Sequence, residues 1–528
     1  AAFAGACRLA ARWGCPTALQ AVAGAVFALS PFLLTRVGAG HWGLVAAVGI
    51  LPWAIPELLE PRDWRMIVIW SSALGFTGFV GGVFAVLIVA VGLIADRRRG
   101  ATRAALATLL GQLPWLVPGL ILSISAGRVA PSVRFRTDLR GPQGVPALLA
   151  GRGFWRATSQ LGLAGGWAIG IGLVFLVLAV VGAGQLRVGV RGRVLGLGLV
   201  GLALTMASGI PGIQGVYERL AETAVGAPLR EGQRTLALAL VVLAPLGVLG
   251  AVALGRRLPR AARMLPAAGV AALAVGLALP GFWGLGGRLQ PRSFPRAYVE
   301  ARRHISVAPG PVLGLPWHEY LDLGYAGGRR VLNPLPDYLG GDVVVSSDPE
   351  VPGSAQESAD RRAVIFDRSD RRLRSGQPVG ALVHDLGIRW VVLLEEVDWH
   401  AYTALDSDPS LARVEVGPRL RLYRVKGWRG PVVTESGGSL AITATVQPLE
   451  HMVASGRATW FRSGQPGWLR GRKAAKVSRA GTLALPAGSG PIWYWPALVV
   501  LLGDLVTIFG VVVACRSLFS HQRSVTVS

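Results

Sequence analysis

The chain has 528 residues, 52% of them hydrophobic and only 16% charged, with 71 glycines and a mean hydropathy of +0.48. That balance excludes an ordinary soluble enzyme and a disordered chain, and it points to an integral membrane protein. The net charge of +25 would suggest nucleic acid in a soluble protein, but here most cations are arginines in short loops between apolar runs. That pattern fixes membrane orientation, so nucleic acid is set aside as a partner.

Lysine occurs only at Lys426, Lys473 and Lys476, while Ala, Gly, Val and Arg abound, as in a GC-rich genome. Arginine abundance alone is therefore no sign of phosphate recognition. Cys7, Cys15 and Cys515 all lie outside residues 285–490, so that region has no disulfide framework and must be held by a packed core. The first residue is Ala1 and no signal peptide precedes the apolar segments, so an N-terminal part is expected to be missing.

Taken in chain order, apolar windows near the ~20 residues needed to span a bilayer fall at 20–36, 43–59, 104–124, 161–184, 192–209, 235–254, 264–284 and 491–515. The stretch from Trp64 to Ala95 is too long for one crossing, and Gly81-Gly82 offers a break into two helices. The expectation is a polytopic α-helical membrane protein of about ten transmembrane helices. Its divisions are a multi-helix membrane domain (1–284), an α/β domain (285–429), a β-rich, sandwich-like module (430–490), a final transmembrane helix (491–515) and a tail (516–528). Arginine-rich loops at 96–103, 187–193 and 256–263, and the tail, are expected in the cytoplasm, which puts residues 285–490 outside it.

In the opening helices, "SPFLLTRVGAGHWGLVAAVGILPW" (30–53) places Arg36 and His41 between apolar runs. A charge at the bilayer centre costs about 2.5–3.5 kcal/mol on insertion scales, so Arg36 belongs at an interface, in a polar cavity or against an anionic ligand. "PLREGQRTLALAL" (228–240) sets Arg230, Glu231 and Arg234 at the mouth of another helix. Together Arg36, His41, Arg230 and Arg234 form a candidate substrate-binding rim for a phosphate or diphosphate headgroup, Arg being suited to bidentate phosphate contacts. The competing reading is interfacial snorkelling.

Pro114 and Pro118 in "GQLPWLVPGL" (111–120) predict a kinked helix, either at a substrate cavity or as packing alone. Between 297 and 425, "VLGLP", "DVVVS", a charged helical stretch near 356–373 and "IRWVVLL" alternate as a small α/β unit. "WHEYLD" (317–322) lacks the second His of a zinc motif, "VHDLG" (383–387) reads as a loop or cap, and "GLGG" (284–287) ends a helix instead of joining strand to helix. No metal site, dinucleotide loop or Walker motif is expected, and no cofactor is assigned.

The order of several stretches resembles the GT-C-type membrane glycosyltransferase superfamily, particularly YfhO-like and actinobacterial polytopic members with a large extracytoplasmic C-terminal part. The residues carrying the resemblance are 30–53, "LPWLVPGL" (113–120), "PLREGQRTLAL" (228–238), "LPWHEYLDLGYAGGRRVLNPLPDYL" (315–339), "SGQPGW" (463–468) and "IWYWPALVVLLGD" (492–504). It implies sugar transfer from a polyprenyl-phosphate donor to an extracytoplasmic glycan or lipid, with membrane lipids and a cell-envelope glycan as further partners. Such enzymes use an acidic residue in the first external loop as general base. No Asp or Glu stands before Arg36 here. The catalytic residue is thus unidentified, and the alternative is a non-catalytic envelope scaffold or glycan-handling protein.

Overall fold

The computed structural model describes residues 1–96, 100–125, 135–139, 144–156, 159–162, 166–223, 226, 229–348, 350, 358, 360–428, 432–434, 439–440, 451–452, 458–461, 466–477, 482–486 and 492–526. These fall into two compact units: residues 1–119, 132–290 and 502–528 make up the first, and 120–131 with 291–501 the second.

The first unit is helical. It opens with α1 (Ala2–Arg12), α2 (Thr17–Ala28), α3 (Pro31–Gly38) and α4 (Trp42–Leu59). The expected first span is broken: α2 and α3 meet at 44°. Pro31 disfavours helical geometry at the residue before it, and Ser30, extended at φ −59° and ψ 142°, caps α3 through its hydroxyl to Leu33 N at 3.4 Å. α5 (Trp64–Gly75) and α6 (Phe79–Asp96) divide the long 64–95 stretch. The break falls at Phe76–Gly78, with Gly78 at φ +103°, and not at Gly81-Gly82. Those two glycines lie inside α6, where a Cβ would meet Leu74 O at 2.3 Å at Gly81 and Trp115 Nε1 at 1.9 Å at Gly82. They are packing glycines.

α7 (Ala101–Ser125) runs through Pro114 and Pro118, then come α8 (Val145–Leu149), α9 (Gly166–Ala183), α10 (Val188–Ala207), α11 (Gln214–Ala221), α12 (Leu236–Gly255) and α13 (Leu265–Ala278). α14 (Phe282–Gly287) is a left-handed turn: Trp283, Gly284, Leu285 and Gly286 have φ between 54° and 66°. α12 is the hub, with 83% of its span buried. Among the described residues seven helices are long and apolar enough to cross a membrane, or eight with the bent pair α2–α3. The chain is a multi-pass membrane protein. Among the described residues, the two helices expected in the 64–95 stretch fall short of that length: the 12-residue α5 reaches only ~18 Å at 1.5 Å per residue, and α6 offers a shorter apolar stretch.

In the second unit, after α15 (Arg296–Val307), a mixed five-stranded sheet has the order β4-β1-β5-β7-β6. β1 (Val312–Leu315) pairs in parallel with β4 (Val343–Val344) and β5 (Trp390–Leu394); β7 (Leu420–Val425) is antiparallel to β5 and to β6 (Leu411–Val414). A hairpin of β2 (Tyr320–Leu323) and β3 (Arg329–Leu332) and the helices α16 (Leu335–Leu339), α17 (Arg361–Arg374) and α18 (Gly380–Asp385) complete it. β1 and β5 are buried along their whole length, and alternate residues serve two cores: Leu313, Leu315, Val391 and Leu393 with Phe366 on one face, Val312, Val392 and Leu394 with Tyr298 on the other.

Beyond it lie two antiparallel sheets. One is built from β10 (His451–Met452), β12 (Trp468–Arg470), β13 (Lys473–Ala474) and β16 (Ile492–Tyr494). The other comprises β8 (Val432–Thr434), β9 (Ser439–Leu440), β11 (Ala458–Phe461), β14 (Lys476–Val477) and β15 (Leu483–Ala484). The "IWY" that reads as membrane helix is β16, pairing with β10 and β12. α19 starts at Trp495, with Pro496 in its first turn, and continues to Thr526.

Candidate functional site

Three segments of the first unit bring the sequence-predicted cations together. The short α3 ends with Arg36 in its last turn, and its chain turns through Gly40, at φ +72°, to put His41 at the start of α4. Gln160 ties Gly153 and Phe154 to α3: its Nε2 donates to Thr35 Oγ1 at 3.1 Å while its Oε1 accepts from Gly153 N and Phe154 N at 3.1 and 2.9 Å. That fixes Phe154 against Arg36. A single 3₁₀ turn, Gly232–Thr235, leads into α12 and presents Glu231 and Arg234.

Arg36 is 1% exposed. Its Nη1 donates to His41 Nδ1 at 3.2 Å and lies 3.5 Å from Glu231 Oε2. Because guanidinium only donates, His41 Nδ1 presents its lone pair and a neutral ring carries its proton on Nε2. Glu231 is also gripped by Arg234, through Nη2 to Oε1 at 2.6 Å and Nε to Oε2 at 3.0 Å. The Arg36 guanidinium lies over Phe154 at 4.6 Å and Phe32 at 5.3 Å, Arg234 over Phe79 at 5.1 Å and Arg230 over Phe135 at 5.1 Å. Rings at 5.9, 5.8 and 5.3 Å connect His41, Phe154, Trp155 and Phe135. Through them the four predicted residues, three arginines and the neutral His41, share one aromatic-walled cluster. Arg36 Nη2 is buried and has no hydrogen-bond partner among the described residues.

Leaving a buried charged donor unpaired is costly, so an acceptor oxygen placed at Nη2 would be stabilising there. Cations against aromatic faces in a water-poor setting suit an anionic ligand. Glu231 is the residue that linear reading misses as a partner of Arg36; in "PLREGQR" it shows only as a flanking acid. Phe32, Phe154 and Gln160 carry no sequence signal at all. Gln233 is buried too, with its Oε1 unpartnered among the described residues.

The second unit holds another charged group at the carboxyl ends of β1, β4 and β5, where parallel sheets often bind ligands. His318 Nδ1 contacts Glu350, and its Nε2 lies 3.1 Å from Asp398. Arg330 and Arg374 pair with those same two acids. Both ring nitrogens are thus engaged by carboxylates. Among the described residues no three His, Cys, Asp or Glu side chains are placed to hold a metal ion. Beside it, Tyr402 donates to Asp370 Oδ1 at 2.9 Å, and burial pushes the Asp370 carboxyl above its usual range.

No family model and no curated protein matches the chain. Among solved structures it is similar to the arabinofuranosyltransferase AftD from Mycobacteria, at 18% identity and a TM-score of 0.52, covering 80% of this chain. Two structures of a mutant of the same protein match at TM-scores of 0.47 and 0.46, again at 18% identity. The chain spans about a third of that protein's length, 32% in the first comparison. The likeness shows a shared fold.

Proposed function

We propose that the chain is a membrane glycosyltransferase of the GT-C type. It takes a sugar from a polyprenyl-phosphate donor and passes it to a glycan or lipid acceptor on the extracytoplasmic side of the cell membrane. Arg36, His41, Arg230 and Arg234 hold the phosphate. The observation carrying this reading is the Nη2 of buried Arg36, without a hydrogen-bond partner among the described residues and set between two aromatic rings beside a second arginine. The fold shared with an arabinofuranosyltransferase supports it. In transfer the bond from the anomeric carbon to the phosphate oxygen breaks, and negative charge builds on the departing lipid phosphate. Fixed guanidiniums at that oxygen stabilise the developing charge.

Glu231, held by two guanidiniums, favours a second reading: an envelope scaffold that binds the same lipid phosphate without turning it over. Both readings share a first test, binding of farnesyl phosphate to the purified chain. Arg36→Ala should weaken it about ten- to a hundredfold, as expected for losing a charge-assisted contact worth roughly 1.5–3 kcal/mol. Arg36→Lys, which keeps the charge but loses the planar fork, should retain part of the affinity. Arg257→Ala, at an exposed loop, should leave it unchanged. Equal affinity in all four proteins would reduce Arg36 to an interfacial anchor. Release of labelled sugar from a polyprenyl-phosphate sugar then separates transferase from scaffold.

A further inference from the structure

We infer that Glu231 is an internal stand-in for the donor phosphate: its carboxylate occupies the arginines, the incoming phosphate displaces it, and the freed carboxylate takes the acceptor's proton. The inference rests on the lipid-phosphate reading above and deepens it. The geometry carries it. Glu231 offers one oxygen to Arg234 Nη2 at 2.6 Å and the other to Arg234 Nε at 3.0 Å, and the second also sits 3.5 Å from Arg36 Nη1. This forked contact is the one a phosphate makes with an arginine. Glu231 is 10% exposed, so its charge must be matched wherever it points. Arg36 meanwhile keeps Nη2 in reserve. The donor's phosphodiester offers two non-bridging oxygens, as the carboxylate does, and gains a third as the sugar leaves, so the headgroup can take over Arg234 and Arg36 Nη1 and, on becoming a lipid phosphate, also satisfy Nη2.

The exchange has a chemical consequence. While two guanidiniums grip it, Glu231 is a poor base, because neighbouring cations favour its ionised form. Once the phosphate neutralises them, Glu231 loses its partners in a shielded site and its affinity for a proton rises. The acceptor hydroxyl oxygen then bonds to the anomeric carbon, the carbon–phosphate oxygen bond breaks with its electron pair on the phosphate, and the hydroxyl proton goes to Glu231. Departure of the lipid phosphate lets the arginines reclaim the carboxylate and expel that proton to water. Donor binding thus switches on the base, and the acceptor is not activated at an empty site.

The test uses the full chain in lipid nanodiscs, with farnesyl phosphate, farnesol and inorganic phosphate as probes. Glu231→Gln removes the competing charge while keeping size and shape, so it should bind farnesyl phosphate about tenfold tighter than the native chain and lose sugar transfer by at least a hundredfold. Glu231→Asp, whose shorter arm reaches the arginines less well, should bind modestly tighter and keep part of the transfer. It is the variant to read if Glu231→Gln does not fold. Farnesol should bind equally to all, and tightening that extends to inorganic phosphate would assign the gain to the headgroup. A native chain without phosphate-dependent binding would overturn the underlying reading. A native chain whose binding depends on Arg36, but whose Glu231 variants bind equally or more weakly, would overturn the exchange alone and leave Glu231 as a residue that positions the arginines.

Discussion

Arg36 and Asp370 show how differently a charged residue can be read. Arg36 stands out in the sequence because its neighbours are apolar, and the rule that such a charge needs a partner or a ligand leads directly to the cluster. The partner itself, Glu231, lies far along the chain, and only the meeting of α3 with the turn before α12 reveals the pair. Asp370 is one acid among many in the charged "DRSDRR" of α17 and carries no signal, yet it is 8% exposed and bound to Tyr402. Its carboxyl is raised chiefly by burial, against the hydrogen bond from Tyr402 and the charge of Arg374. A folded-state value above the unfolded one, near 3.9, means that the stabilisation it gives is fully present below that pH and is lost as pH rises through the folded value. Asp370→Asn keeps the acceptor oxygen for Tyr402 and removes the charge. It should stabilise the protein at pH 7, with the gain vanishing below about pH 4. Thermal melts of both proteins across that range check it, and a gain independent of pH, or a loss at pH 7, would exclude the burial argument.

Helices in this protein meet through glycines, and that decides which element boundaries the sequence discloses. A Cβ at Gly250 of α12 would stand 1.9 Å from Leu178 O, and one at Gly182 of α9 would stand 2.0 Å from Leu246 O. The obstacle in each case is backbone, so no rotamer change relieves it. Close approach through small residues is how membrane helices associate when hydrophobic burial gives no advantage over lipid. Gly250→Ala should therefore part α9 from α12 and destabilise the unit by about 1–3 kcal/mol. Gly269→Ala, in α13 with nothing within 4 Å, should be neutral or slightly stabilising, since alanine is the better helix former. Melting temperatures in detergent decide it, and equal effects at the two positions would contradict glycine-mediated packing. The same logic explains why Gly81-Gly82 misleads. Glycine breaks a helix or lets two helices touch, and hydropathy alone cannot tell these apart. The bend at Ser30-Pro31 was legible in principle, because proline restricts the residue before it. The β16 strand was not, since "IWY" fits a strand and an interfacial helix start equally well.

At the scale of the whole molecule, composition establishes the membrane class and the apolar windows locate most spans, because hydrocarbon leaves the backbone few options. Orientation depends on something weaker, the asymmetry of arginines between short loops. Arg256, Arg257, Arg260 and Arg263 crowd the turn between α12 and α13, and all four are exposed or nearly so. If that turn is cytoplasmic, a crossing through α13 carries the chain to the opposite side before α15, and the sheets of the second unit lie outside. The arrangement also suits the proposed chemistry: Arg36, His41, Glu231 and Arg234 sit at helix ends away from the arginine-rich turn in the topology, where a lipid-linked donor would be presented to an external acceptor. In a background with Cys7, Cys15 and Cys515 replaced by serine, a cysteine at Ser375, exposed on the second unit, should react with a membrane-impermeant maleimide in intact cells. A cysteine at Leu258, 38% exposed in the α12–α13 turn, should react only after permeabilisation. The reverse pattern would place the cation cluster on the cytoplasmic face. The donor would then have to be a lipid phosphate presented from the cytoplasm, and transfer to an envelope acceptor would be excluded, whatever the affinity of Arg36 for phosphate.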